Sequence, residues 1–224
     1  IPDITPLFID LDFTFNGTNM GKQITDNSIN SIIDFVYKYI KEYFEIDDLD
    51  NKKCYIQEKE SPKTNDDGFT IKEGLHILFP DIIGDKLVFK EFFKQLSFKS
   101  DIESILESFV SKPTNDISKI FDTNVSRWFI YGSTKPNDVP YKVTHVYKYL
   151  TRIENNLSEK ELLDLFYLTK EHDINIKYKN DIDNVLRKKD IISNKCDIMS
   201  SLDCIDIDDY SDEEEQELSN EIQS

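Results

Sequence analysis

The run Pro6-Leu7-Phe8-Ile9-Asp10-Leu11-Asp12-Phe13 constrains the fold more than any other part of the 224-residue chain. Leu7, Ile9, Leu11 and Phe13 alternate with Phe8, Asp10 and Asp12. Successive side chains leave opposite faces of a strand, so the run predicts a strand with one apolar face and two carboxylates together on the other. Two like charges side by side on a largely hydrophobic strand cost repulsion and desolvation. A divalent cation between them removes that cost, and a hard, carboxylate-rich site suits Mg²⁺ or Mn²⁺. A solvated edge strand would carry the same pair with no ligand. The downstream sequence separates the two readings.

After this strand comes a polar loop with Gly17 and Gly21, then the helical spacing of Ile29, Ile32, Ile33, Val36, Ile40 and Phe44, with Thr25 to Ser28 as caps. Residues 54–60 and 69–80 are strand-like and flank the turn Ser61-Pro62-Lys63-Thr64-Asn65-Asp66-Asp67-Gly68, which predicts a hairpin. On its second arm Leu75, Ile77 and Phe79 share one face and Lys72, Gly74 and His76 the other. Helical patterns cover 86–96 and 101–110, the second stopped by Pro113. Ile120-Phe121-Asp122 places another acid behind an apolar pair, ahead of Arg127-Trp128-Phe129-Ile130-Tyr131-Gly132-Ser133-Thr134-Lys135-Pro136. Residues 141–150 are strand-like, and Ser158 with Glu161 forms a capping box for a helix to about residue 170.

The formal net charge of −17 argues against a polyanionic partner only until its distribution is considered. Eleven of the 44 acids and none of the 27 basic residues lie in 197–224, which leaves 33 acids against 27 bases in the remainder. The expected organisation is therefore one domain over 1–190 and an acidic, disordered linker or tail over 191–224. A hydrophobic content of 38% is enough for one core. No stretch approaches the roughly 18 apolar residues of a membrane span, and no signal-peptide pattern is present. The first residue is Ile1, directly before the acidic strand, which suggests a fragment truncated at its N-terminus. Cys54, Cys196 and Cys204 make neither a disulfide framework nor a zinc pair.

Three pieces thus stand in order: Asp-x-Asp on a strand, a Gly-x-His strand with a lysine two residues before it, and a hydrophobic-Asp ahead of Gly-Ser-x-Lys. Together they resemble the three catalytic motifs of the archaeo-eukaryotic primase superfamily. FIDLDF, KEGLHILFP and WFIYGSTKPNDVPYKVTHVY are similar to the primase domain of helicase-primases from nucleocytoplasmic large DNA viruses, the group that includes poxviruses. The resemblance covers about residues 5–150 well. It implies an α/β (α+β) fold with an RRM-like antiparallel catalytic sheet packed by helices. It implies catalytic and metal-binding roles for Asp10, Asp12 and Asp122. Nucleotide-binding roles follow for Lys72, His76, Ser133 and Lys135, and for Arg127 as a candidate basic residue. Two divalent ions, Mg²⁺ or Mn²⁺, NTP or dNTP substrates and a single-stranded DNA template are implied, as are a superfamily 3 helicase domain in the full-length chain and other replication proteins. The implied setting is a viral replication site inside the host cell. Many members carry Ser where Gly74 stands, the spacing from Asp122 to Trp128 is short, and neither a zinc module nor a Walker A motif is present.

The expected function is a DNA primase or primase-polymerase. An inactive nucleic-acid-binding or scaffolding remnant of the same fold is the alternative. A metal-dependent phosphodiesterase or nuclease would use the same acids but would not need Lys72, Ser133 and Lys135 for a triphosphate. His145, His172, Trp128 and Tyr131 are expected to serve packing.

Overall fold

The computed structural model describes residues 3–17, 21–65, 67–122, 131–132, 134, 138–167 and 172–179, all within the first of two units, Ile1–Asn184. The tail over 191–224 and the candidate residues Arg127, Ser133 and Lys135 lie outside the described residues, as does Trp128. Strands are β1 (Ile4–Asn16), β2 (Phe44–Glu45), β3 (Lys53–Glu58), β4 (Lys63–Thr64), β5 (Thr70–Asp85), β6 (Lys142–Lys148), β7 (Thr151–Ile153) and β8 (Lys177–Tyr178). Helices are α1 (Asp26–Tyr43), α2 (Lys86–Ser97), α3 (Ile102–Leu106) and α4 (Glu159–Leu165). The main sheet has the order β1-β5-β3-β6-β7, with β4 beside β5, and every pairing in it is antiparallel. The mixed α/β class with a helix-packed antiparallel sheet is therefore as the sequence implies.

Alternation along β1 divides the sheet into two chemically different faces. Leu7, Ile9, Leu11, Phe13 and Phe15 are all buried, as are Ile71, Leu75, Ile77 and Phe79 of β5. This face receives α1, whose Tyr37 ring meets Phe79 edge-on at 5.3 Å, and the residues after α3, whose Phe109 ring lies 4.8 Å from Phe13. α1 begins as its sequence dictates: Thr25 and Ser28 form a reciprocal capping box. On the opposite face the described residues form an apolar cluster at one end. There Phe8, Tyr55, Leu78 and Val146 pack against Leu162 and Phe166 at α4. Tyr131 packs on the same cluster, its ring stacked 5.5 Å from Phe166, in the packing role expected of it.

Several boundaries differ from the sequence reading. β5 does not stop at Pro80 but runs to Asp85. The register jumps from Leu7↔Phe79 to Pro6↔Ile83, so Pro80 sits in an irregularity where its missing N–H breaks no ladder bond. Within the strand-like stretch 141–150 the strand itself is β6, Lys142–Lys148, and the chain turns at Tyr149 with positive φ into β7. α3 is shorter than the helical spacing over 101–110 suggested, and α4 ends at Leu165. β2 and β8 pair with one another, a contact between residues more than a hundred positions apart that no local pattern encodes.

Ile9 is wholly buried at the centre of this core. Ile9→Ala should cost about 2–5 kcal/mol in chemical denaturation, the range for deleting a buried aliphatic side chain into a packed site. A loss below about 1 kcal/mol would show that β1 is not the central packing strand.

Candidate functional site

The other end of the face that packs on α4 carries the candidate residues. The β1–β5 register sets Asp10 opposite His76, Asp12 opposite Gly74 and Thr14 opposite Lys72. On β5's other side Gln57 of β3 lies opposite His76. On β1's outer side the chain over 114–122 runs along the edge. Thr114 donates its backbone N–H to Thr14, Asp12 donates to Ile120 at 2.9 Å, and Asp122 donates to Asp10 at 3.0 Å. The Leu11↔Phe121 bridge between these bonds places Asp122 directly across from Asp10. Asp122, Asp10, His76 and Gln57 therefore form one row across four neighbouring segments, with Asp12 and Gly74 in an adjacent row.

This backbone arrangement brings the three acids of the sequence reading to one place. The side chains are less gathered. Among the described residues no group of three or more His, Cys, Asp and Glu side chains stands in an arrangement that could hold a metal ion. The donor set itself fits a hard divalent cation, since it is made of carboxylates alone, two of them on one strand face and the third across from it.

His76 is enclosed. Its Nε2 lies 3.4 Å from Asp10 Oδ1, the Phe8 ring meets it edge-on at 5.8 Å, and Tyr141 stacks on its face with centroids 3.6 Å apart. Burial, with the nearby Lys59 charge adding to it, pushes its pKa down to about 3. The ring is thus neutral at physiological pH, and its contact with Asp10 is that of a neutral imidazole.

Tyr141 was not identified from the sequence as a site residue, because a tyrosine entering a strand gives no signal beyond packing. Its hydroxyl occupies the space that a side chain at position 74 would need: a Cβ on Gly74 would overlap it and would lie 3.5 Å from Asp12 Oδ1. The absence of a side chain at Gly74 is what admits Tyr141. Burial and the charges of Asp10, Asp12 and Asp138 hold the Tyr141 phenol above its ordinary range.

Lysines surround the other end of this patch. Lys22, Lys59 and Lys72 line a cleft with Glu58, Glu73 and Gly74. Lys63 is registered directly opposite Lys72, a like-charge pair that destabilises a ladder unless an anion offsets it. Only Lys72 of these was singled out in the sequence. Lys22 pairs with Glu58, which also accepts from Thr144 and lies 3.4 Å from His145 Nδ1. His145 reaches Asp26 at 3.0 Å through Nε2 and serves this structural network.

A family model described as the C962R protein N-terminal AEP domain matches residues 2–147. The chain belongs to that family. It is a member of the archaeo-eukaryotic primase superfamily and resembles the primase domains of the large DNA viruses, as its three motifs indicated. A search of the curated proteins finds no match. The primase-domain match spans β1 through most of β6, and so includes Asp10, Asp12, Lys72, His76 and Asp122. Among the described residues no helix is long and apolar enough to cross a membrane.

In this primase domain Glu58 ties the cleft to the sheet. Burial opposes its ionisation, but hydrogen bonds from His145, Lys22 and Thr144 outweigh it and lower the pKa to about 2 from 4.5. The folded value lies below the unfolded one, so Glu58 contributes stability above pH about 4.5 that is lost as pH falls toward about 2. Denaturant midpoints between pH 6 and pH 2 should show this as a loss of up to about 3 kcal/mol that is missing in Glu58→Gln. An identical acid limb in the variant would show that Glu58 does not anchor the network.

Proposed function

We propose that this archaeo-eukaryotic primase domain is a DNA primase or primase-polymerase, a metal-dependent nucleotidyltransferase acting on a single-stranded DNA template. The observation that supports it most is the sheet row in which Asp122, Asp10 and His76 stand side by side with Asp12 adjacent, one strand away from a lysine-lined cleft. Lys72, which shares the strand face of these acids, and Lys59 beside Tyr141 suit a ligand that combines cations with phosphates.

Asp10, Asp12 and Asp122 would hold the divalent ions, Mg²⁺ or Mn²⁺. When bound, these supply charge stabilisation to the attacking and leaving oxygens of an in-line displacement. In the reaction a 3′ hydroxyl attacks the α-phosphorus of a nucleoside triphosphate. The new phosphodiester bond forms as the bond to pyrophosphate breaks, and the hydroxyl proton passes to solvent. Lys72 would hold the triphosphate as a fixed cation, and His76, being neutral, would act as a hydrogen-bond donor rather than a charge. Ser133, Lys135 and Arg127 are assigned to the same nucleotide on the motif resemblance alone. A helicase domain elsewhere in the full-length protein, other replication proteins and a viral replication site are the setting that fits this reading.

The alternative is a domain that binds nucleic acid without catalysis. It is favoured by the carboxylates not being gathered into one ion-holding group among the described residues. Template-dependent synthesis decides between them. The protein is given single-stranded DNA, labelled nucleotides and Mg²⁺ or Mn²⁺, beside an Asp10→Ala/Asp12→Ala variant. Metal-dependent products from the parent and none from the variant are expected. Retained DNA binding with no synthesis by either folded protein would favour the binding domain.

A further inference from the structure

Two residues of the chain, Asp138 and Tyr141, lie against the lysine cleft and His76. Asp138 places its carboxylate 2.7 Å from Lys59 Nζ, and both side chains are mostly buried, at 8% and 19% exposure. Burial works against the charge of Asp138, but the hydrogen bond from Lys59, together with the more distant Lys63, keeps its carboxyl below the usual range. Three residues later Tyr141 covers the face of His76 and fills the notch at Gly74 beside Asp12. Lys59 connects the two, because its ammonium also lies 5.1 Å from the centre of the Tyr141 ring.

A carboxylate held by a lysine at the edge of a cleft lined by three lysines and two glutamates has the charge and hydrogen-bonding chemistry of a phosphate oxygen. Lys59 lines that cleft together with Lys22 and Lys72. We propose that Lys59 is a phosphate-binding residue of this site, that Asp138 holds it in place of a phosphate, and that a polyphosphate ligand takes Lys59 from Asp138. The inference rests on the nucleotidyltransferase reading for the identity of the ligand, a nucleoside triphosphate. The seat itself requires only an oligophosphate. Because Lys59 is the cation over the ring that covers His76, drawing it away loosens that cover as well. A site that must first displace its own anion binds more weakly than its contacts alone would allow, by the fraction of molecules in which the seat is open.

The test is a calorimetric titration of the full 224-residue chain with dATP and Mg²⁺, and separately with inorganic tripolyphosphate. The proteins are the parent, Asp138→Asn, Lys59→Ala and the double variant, each checked for an unchanged thermal transition. Asp138→Asn should tighten both ligands several-fold, Lys59→Ala should weaken both, and the double variant should match Lys59→Ala. A merely structural ion pair would move both single variants in the same direction. That result overturns the proposal, as does an Asp138→Asn gain that survives without Lys59, which would be a general effect of removing negative charge. Tripolyphosphate binding in the expected order with no dATP binding would sink the nucleotidyltransferase reading and leave the phosphate seat standing. Equal dATP binding by all four proteins would do the reverse.

Discussion

The register between β1 and β5 is the constraint on which the rest of the structure depends. Side chains alternate with a period of two, so a slip of one residue would turn Asp10 and Asp12 into the core and Ile9 and Leu11 out of it. The apolar parity of both strands forbids that slip: five buried residues on β1 meet the buried Ile71, Leu75, Ile77 and Phe79 of β5. The core therefore sets the site. Packing energy on one face fixes where the acids, the histidine and the glycine notch fall on the other.

The acids and the lysines of the site come from different sources. The acids are delivered by strand parity and by backbone hydrogen bonds along the edge of β1, which bring Asp122 across from Asp10. The lysines gather from a loop, a strand end and a short ladder, and each is restrained by a partner or a neighbour. Lys22 is paired with Glu58, Lys59 with Asp138, and Lys63 faces Lys72. Between the two lies a neutral histidine roofed by a tyrosine. Most of these charges are satisfied within the protein.

How much of this was legible in the sequence follows from the range of the interactions. β1, α1 and the β3–β5 hairpin are written in local periodicity and capping, and Asp10, Asp12, Lys72 and His76 could be placed on shared faces by parity alone. That Asp122 lands beside Asp10 needed the long pairing across the β1 edge, which only the order of the motifs suggested. Tyr141, Lys59 and Lys22 were not legible. Tyr141 looks like any strand aromatic, and its role arises from a contact with Gly74, 67 positions earlier in the chain. Lys59 lies just beyond β3, where a lysine is commonplace. The continuation of β5 past Pro80 was missed because a proline ordinarily ends a strand, and the irregularity that accommodates it depends on the partner strand.

The central claim is that Asp10, Asp12 and Asp122 form a divalent-ion site, and direct measurement of Mn²⁺ binding tests it without invoking catalysis. Free Mn²⁺ is followed by electron paramagnetic resonance during titration of the parent and of Asp10→Asn/Asp12→Asn. The acidic tail is present in both proteins, so the difference between them reports the strand site alone. The account predicts saturable binding in the parent, weakened in the folded variant by more than the roughly tenfold that loss of even an outer-sphere partner costs a metal site. Identical titrations of the two proteins would contradict it.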